Sequence, residues 1–275
     1  MAVPQLAYWK SPQTGEPFLF LHGLLRRAGC FAPLYPALAH RWEIYSVDQA
    51  GRGDSPRLEG SAYRVTDHLP SLERFVDEVM PPDRPAVVYG HSMGAMLALA
   101  LAAARPSRVR AIVLEDPPFE TMGTRLPGSA LDAYFHAIAP CVGRGLTARE
   151  LGAVVLPGGV ELRTQRDEAE LRFMAGAFAM ADPRVMSTVL DSTWVQGYGE
   201  TALWPKLACP ALLLQADAAQ GGMLTDEDAS AACRLSPHVS LVRLPGIGHN
   251  AHWQDAPLVA RYLTAFLESL DRFRT

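Results

Sequence analysis

The sequence predicts an α/β protein, with a mostly parallel central sheet flanked by helices and a helical cap inserted between two strands. Three observations predict it. Short apolar runs rich in Val, Leu, Ile and aromatic residues recur along the chain without alternating with polar residues, as strands covered on both faces do. Each run leads into turn residues and most lead on into a segment with helical spacing, the rhythm of a parallel sheet with crossover helices. Between residues 121 and 204 that rhythm stops and only helical patterns remain.

In chain order, the predicted strands enter their turns at "PFLFLHG", "WEIYSVDQAGRGDS", "PAVVYGHSMG", "RAIVLEDPP", "PALLLQAD" and "VSLVRLPGIGH". Helical spacing covers Pro70 to Met80. An Ala-rich helix runs from Met93 to Arg105, ended by Pro106, and an amphipathic helix runs from Leu258 to Leu270 behind Pro257. In the interrupted region, "RDEAELRFMAGAFAMA" and "PRVMSTVLDSTWVQGYG" read as helices with apolar faces. The expected organisation is a core of residues 1–120 and 205–275, with a cap of residues 121–204 over the sheet's carboxyl edge.

Composition limits the function. The chain has 275 residues, of which 49% are hydrophobic, enough for one large domain with an inserted subdomain. The net charge is −4 without long blocks of one sign, which argues against a nucleic-acid or anionic membrane partner. The N-terminal residues lack a basic stretch followed by an apolar one, and "MLALALAAA" is too short to span a bilayer. Cys30, Cys141, Cys209 and Cys233 are dispersed and fit reduced thiols. The expected location is cytoplasmic.

The chemistry centres on "GHSMG", Gly90 to Gly94, between a strand and a helix. A G-x-S-x-G turn there strains the serine backbone and projects its hydroxyl from the sheet edge. Ser92 is the expected nucleophile. "LPGIGHNAHW" supplies a base, His249, behind glycines that let the loop turn inward, with His252 expected to make a structural hydrogen bond nearby. A tetrahedral oxyanion needs donors. The N–H of Met93 is one, and "FLFLHGLL" offers the N–H of Leu24 as the second. "DQAGRGDS" lacks the third glycine and the helix of a dinucleotide site and reads as a structural turn.

"HGLL", "DQAGRGDS", "GHSMG" and "GIGHNAHW" stand in the order and approximate spacing of the α/β-hydrolase superfamily, and the chain resembles it from about residue 15 to 120 and 205 to 270. The resemblance implies an eight-stranded sheet, a Ser-acid-His triad and a helical cap, with the first strands here reduced to "LAYW". In most members the acid follows the seventh strand in a pattern like L-L-x-G-x-x-D. Here "LLLQADAAQGG" puts Ala219 at that position, with Asp217 two residues early and Asp226 well past the turn. Some lactonases and dehalogenases of the superfamily carry the acid after the sixth strand, where "LEDPP" places Glu115. Glu115 is the expected acid. Asp217 is the alternative, and Asp116 is a third candidate expected to face the other way by strand alternation. The acid pair can also be read as merely capping a loop.

A serine rather than an aspartate at position 92 argues against the mechanism of epoxide hydrolases and haloalkane dehalogenases. The expected reaction is hydrolysis of a small carboxylic ester or lactone through an acyl-enzyme on Ser92. The same triad serves C–C bond, thioester or amide hydrolysis, and a ligand receptor on the same fold is the reading outside enzymology. Phe119, Tyr134, Trp194 and Tyr198 are candidate substrate contacts from the cap, in a region that also holds Phe135, Phe173, Met174 and Phe178. Arg26 and Arg27, just past the oxyanion loop, read as solvated surface in preference to a substrate-carboxylate site. No metal or organic cofactor is implied.

Overall fold

Residues 3–60 and 62–272 are described by a computed structural model, so the ends of the expected core, 1–2 and 273–275, lie outside the described residues. Seven strands form one sheet: β1 (Tyr8–Lys10), β2 (Glu16–Leu21), β3 (Trp42–Val47), β4 (Ala86–His91), β5 (Val109–Glu115), β6 (Ala211–Ala216) and β7 (Val239–Leu244). Their order is β1-β3-β2-β4-β5-β6-β7. β1 pairs antiparallel with β3 and every other pairing is parallel. The described residues thus hold seven strands rather than eight. The short β1 is what "LAYW" contributes.

The apolar runs lack polar alternation because both faces of the sheet are covered. Leu19, Leu21, Val88, Ile112 and Leu114 enter one core, and Phe18, Phe20, Val87, Tyr89, Ala111 and Val113 the other. Longer helices supply the cover: α1 (Leu69–Glu78), α2 (Met93–Ala104), α3 (Ala130–Ile138), α4 (Glu168–Ala179), α5 (Asp226–Leu235) and α6 (Ala256–Arg272). Every residue of α2 from Met93 to Ala102 is buried, which explains a helix with no polar stripe. Among the described residues, no helix is long and apolar enough to cross a membrane.

Between β5 and β6 the chain is helical, and its Phe135, Ile138, Leu171, Met174, Phe178 and Trp194 join the same core cluster as Leu19 and Val88. The apolar side chains of the inserted helices are therefore continuous with the core on one side of the sheet. "PRVMSTVLDSTWVQGYG" is less helical than its spacing predicts. A 3₁₀ turn at Pro183–Met186 and a helix at Ser187–Leu190 are all it forms. Asp191 then takes the N–H and hydroxyl of Thr193, and Ser192 turns to φ 58°, so a local side-chain turn outcompetes the next helical turn.

The strand order places a switch point between β2 and β4. The chain leaves β2 toward β3 on one side and continues through β4 and β5 on the other. A crevice opens outside the carboxyl ends of the strands at such a point. β2 ends there into "HGLL" and β4 into "SMG". The close approach is tight: a Cβ on Gly94 would collide with the carbonyl of Leu21, and one on Gly90 with the carbonyl of Gly94. Both obstacles are backbone. Gly94→Ala is expected to lower unfolding stability by about 3 kcal/mol in urea titrations, because β2 and α2 cannot separate without breaking the β2–β4 pairing.

Candidate active site

Ser92 caps β4 with φ 55° and ψ −121°, a conformation that costs a non-glycine residue free energy. The turn is held from below, since the Ser92 N–H donates to the Glu115 carbonyl at 2.9 Å. The Ser92 side chain caps no helix N–H. Its oxygen is left available in the crevice. Met93 is the first residue of α2, so its N–H has no acceptor within the helix.

His249 lines the same pocket as Ser92, and its Nδ1 lies 2.6 Å from Asp116 Oδ2. The expectation that Glu115 orients His249 is corrected: the carboxylate on His249 is that of Asp116. The two acids do face different ways, as alternation predicts, but it is Asp116, just beyond the last strand residue with φ 47°, that meets His249. The buried Asp116 carboxylate also accepts the N–H groups of Ala216 at 3.2 Å, Met223 at 2.7 Å and Leu224 at 3.1 Å. The loop after β6, where the resemblance led the acid to be sought, here supplies donors to an acid at the end of the neighbouring strand. Asp217 is corrected too. It takes the N–H groups of Gly246 at 2.8 Å and Ala219 at 2.9 Å, and these bonds hold its carboxyl below the usual range while it clips two loops together.

Glu115 serves His252 instead. His252 donates to it through its backbone N–H at 3.0 Å and through Nδ1 at 2.8 Å, and the Tyr89 hydroxyl donates at 2.6 Å. His91 and Glu115 are register partners on β4 and β5, so both point to the face where His252 sits. His91 Nε2 donates to the His249 carbonyl at 2.9 Å. Burial holds His91 neutral, well below the ordinary histidine range, with His249 and His252 adding to the effect. His91, Glu115 and His252 bring ligand-type atoms within 4.8 Å of one another. Glu115 is already saturated by Tyr89 and His252, so this cluster is a hydrogen-bonded scaffold under the His249 loop.

The "HGLL" loop is wired to "DQAGRGDS". His22 Nδ1 donates to the Gly23 carbonyl at 2.8 Å, and its Nε2 accepts the Gln49 N–H at 2.9 Å. Burial pushes the His22 pKa down to about 3. Buried Arg52, lowered by desolvation to about 10, donates Nε to the Leu24 carbonyl at 2.6 Å and Nη1 to the Ala50 carbonyl at 3.0 Å. Its Nη2 lies 3.8 Å from Met93 Sδ. One guanidinium thus touches both residues expected to donate to the oxyanion. The sequence reading treated this turn as structural and did not single out Gln49 or Arg52. Nothing local to "GRG" reveals a contact reaching back 28 residues.

The pocket around Ser92 is lined mainly by apolar groups, among them Leu24, Leu25, Met122, Tyr134, Phe135, Ile138, Met174, Phe178 and Trp194. Two of the expected cap contacts, Tyr134 and Trp194, are there. Phe119 and Tyr198 are not, and that expectation is corrected. They stack on each other at 6.3 Å along a separate groove, where the Tyr198 hydroxyl donates to the Met96 carbonyl at 2.9 Å. Phe173 instead packs on Trp253 and beneath Arg27.

Two measurements check this network. Glu115→Ala strands the Tyr89 hydroxyl and two His252 donors in the interior, and the expected loss is about 3–5 kcal/mol in urea unfolding. His22, His68 and His91 are all held below the ordinary histidine range by burial. The unfolded chain therefore takes up protons first as pH falls. Stability is full above the unfolded value near 6.5 and declines below it, by roughly 1.4 kcal/mol per pH unit for each such histidine. Urea titrations between pH 7.5 and 5 are expected to show this slope, and His22→Gln to make it shallower.

Comparison with known proteins agrees with this architecture. The family described as "alpha/beta hydrolase fold" matches residues 16–256. The chain is 25% identical to 2-(acetamidomethylene)succinate hydrolase of Mesorhizobium japonicum, over 93% of this chain and 89% of that protein. It is 27% identical to pimeloyl-[acyl-carrier protein] methyl ester esterase of Xanthomonas axonopodis, over 93% and 96%. Among solved structures, E-2-(acetamidomethylene)succinate hydrolase superposes with a TM-score of 0.77 at 20% identity, over 96% of this chain and 95% of that one. The enol-lactonase of Burkholderia xenovorans does so with 0.72 at 16% identity, over 96% and 97%. With a family match spanning most of the sequence and a sheet of the corresponding form, the chain belongs to the alpha/beta hydrolase fold family.

Proposed function

We propose that the chain is a serine hydrolase that cleaves a carboxylic ester or lactone through an acyl-enzyme on Ser92. The observation that carries this reading is the buried Asp116 carboxylate 2.6 Å from His249 Nδ1, with His249 and Ser92 lining one pocket. Asp116 holds the imidazole with Nδ1 protonated, which leaves Nε2 free to take the Ser92 proton. The serine oxygen then attacks the substrate carbonyl, and the N–H groups of Leu24 and Met93 receive the developing oxyanion. His249 returns the proton to the leaving alcohol. Water, deprotonated by His249, attacks the acyl-enzyme and releases the acid with Ser92 restored.

An apolar pocket with few polar groups suits a small organic acyl or alcohol portion. The relative named for a methyl ester supports an ester substrate. We place the division between core and cap at residues 121–204, on the strength of the helical insertion between β5 and β6. Four unpaired cysteines, three of them buried, support a reducing compartment, and we assign the cytoplasm.

The test is a panel of p-nitrophenyl esters, lactones and thioesters with intact-mass analysis of the enzyme. Ser92→Ala is expected to abolish both turnover and the acyl adduct. Asp116→Asn is expected to lower kcat by about four orders of magnitude through loss of the correct imidazole tautomer. Asp217→Asn is expected to stay near wild type. Ligand binding without turnover by the wild type would favour a receptor on the same fold.

A further inference from the structure

Two cations reach the pocket that holds Ser92. Arg26 lies two residues past Leu24, and Arg166 lies just ahead of α4 in the inserted helices. Both line the pocket together with Ser92 and His249, and no carboxylate among the described residues lines it. The arginines share one acid, Glu170, whose Oε1 is 3.5 Å from Arg26 Nη2 and 3.1 Å from Arg166 Nε. The Arg166 contact is off the hydrogen-bonding line, and its buried Nε donates to no acceptor. Glu170 and Asp167 do not line this pocket but an adjoining cavity that shares Arg166, Tyr134, His249 and Asn250 with it.

That arrangement calls for an occupant. The Arg26 side chain is 13% exposed and that of Arg166 29%, so water screens them only in part. One carboxylate between two guanidiniums leaves one positive charge against a pocket walled by Leu25, Met122, Ile138 and Met174. A guanidinium in such a setting is stabilised by an anion that it can grip through paired N–H groups. Arg26 Nη2 also donates to Asn250 Oδ1 at 3.1 Å, which fixes it beside the His249 loop.

We propose that Arg26 and Arg166 form an anion subsite, and that the substrate is an ester or lactone bearing a free carboxylate away from the scissile carbonyl. The proposal rests on the serine-hydrolase reading of Ser92. It also revises the sequence-based placement of Arg26 on a solvated surface.

The test compares mono-p-nitrophenyl succinate, which is anionic, with p-nitrophenyl butyrate, which is neutral and similar in length. The measured quantity is the ratio of their kcat/KM values in the full chain. Wild type is expected to favour the anionic ester. Arg26→Gln and Arg166→Gln are each expected to lower the ratio about tenfold or more, and Glu170→Gln to raise it by removing the competing carboxylate. If the arginines only tie the inserted helices to the oxyanion loop, both esters lose rate together and the ratio stays constant, which overturns the proposal. Calorimetry of succinate with Ser92→Ala separates the two readings. Succinate bound by Ser92→Ala and lost on adding Arg166→Gln supports the subsite even if no ester is turned over. Turnover of butyrate with no succinate binding keeps the hydrolase and rejects the subsite.

Discussion

The carboxylate of Asp116 is the constraint around which the site is arranged. It is buried at the end of β5 and accepts from His249 Nδ1, from the N–H of Ala216 at the end of β6, and from the N–H groups of Met223 and Leu224 in the loop that follows. A buried carboxylate is tolerated only when its oxygens are occupied in this way. One donor from β6 and three from two separate loops satisfy it. The same contacts bring the loop after β7 to the crevice where Ser92 stands. Loss of this charge would release both loops at once.

Register explains why a second network lies directly beneath the first. His91 pairs with Glu115 across β4 and β5, and each is followed by a residue of the proposed triad, Ser92 and Asp116. The last strand residues face Tyr89 and His252. The residues after them turn, at φ 55° and 47°, toward the pocket. The upper layer holds the proposed triad. The lower one fixes the position of the His249 loop, through its carbonyl to His91 and through His252 to Glu115. Arg52 and His22 hold the facing loop on the β2 side in a comparable way, so each wall of the crevice has a buried polar support.

Much of this was legible because the signals are local. Strands buried on both faces read as apolar runs. The glycines of "GHSMG" announce a turn in which β2, β4 and α2 touch backbone to backbone, and Gly246 and Gly248 announce the loop that carries His249. Glu115 was misassigned because two adjacent acids at a strand end are distinguished only by the backbone turn between them. Phe119 and Tyr198 were misplaced because an aromatic side chain in a helical insertion has the same sequence signature whether it faces the pocket or an outer groove.

By itself, the sequence determined the strands, the elbow around Ser92, the loop after the last strand and the helical insertion, since each follows from the spacing of apolar residues and glycines within a short stretch. The tertiary structure alone decided which acid meets His249, which histidine meets Glu115, that Arg52 supports the "HGLL" loop, and that Arg26 and Arg166 share Glu170. Those pairings join residues as far apart as Arg26 and Glu170, or Glu115 and His252. They depend on strand register and on the direction of a single turn, neither of which leaves a mark in local composition. The two carboxylates of "LEDPP" were visible from the start. Their division between two histidines was settled by the positive φ of Asp116, which turns one acid into the crevice while its neighbour stays in the sheet.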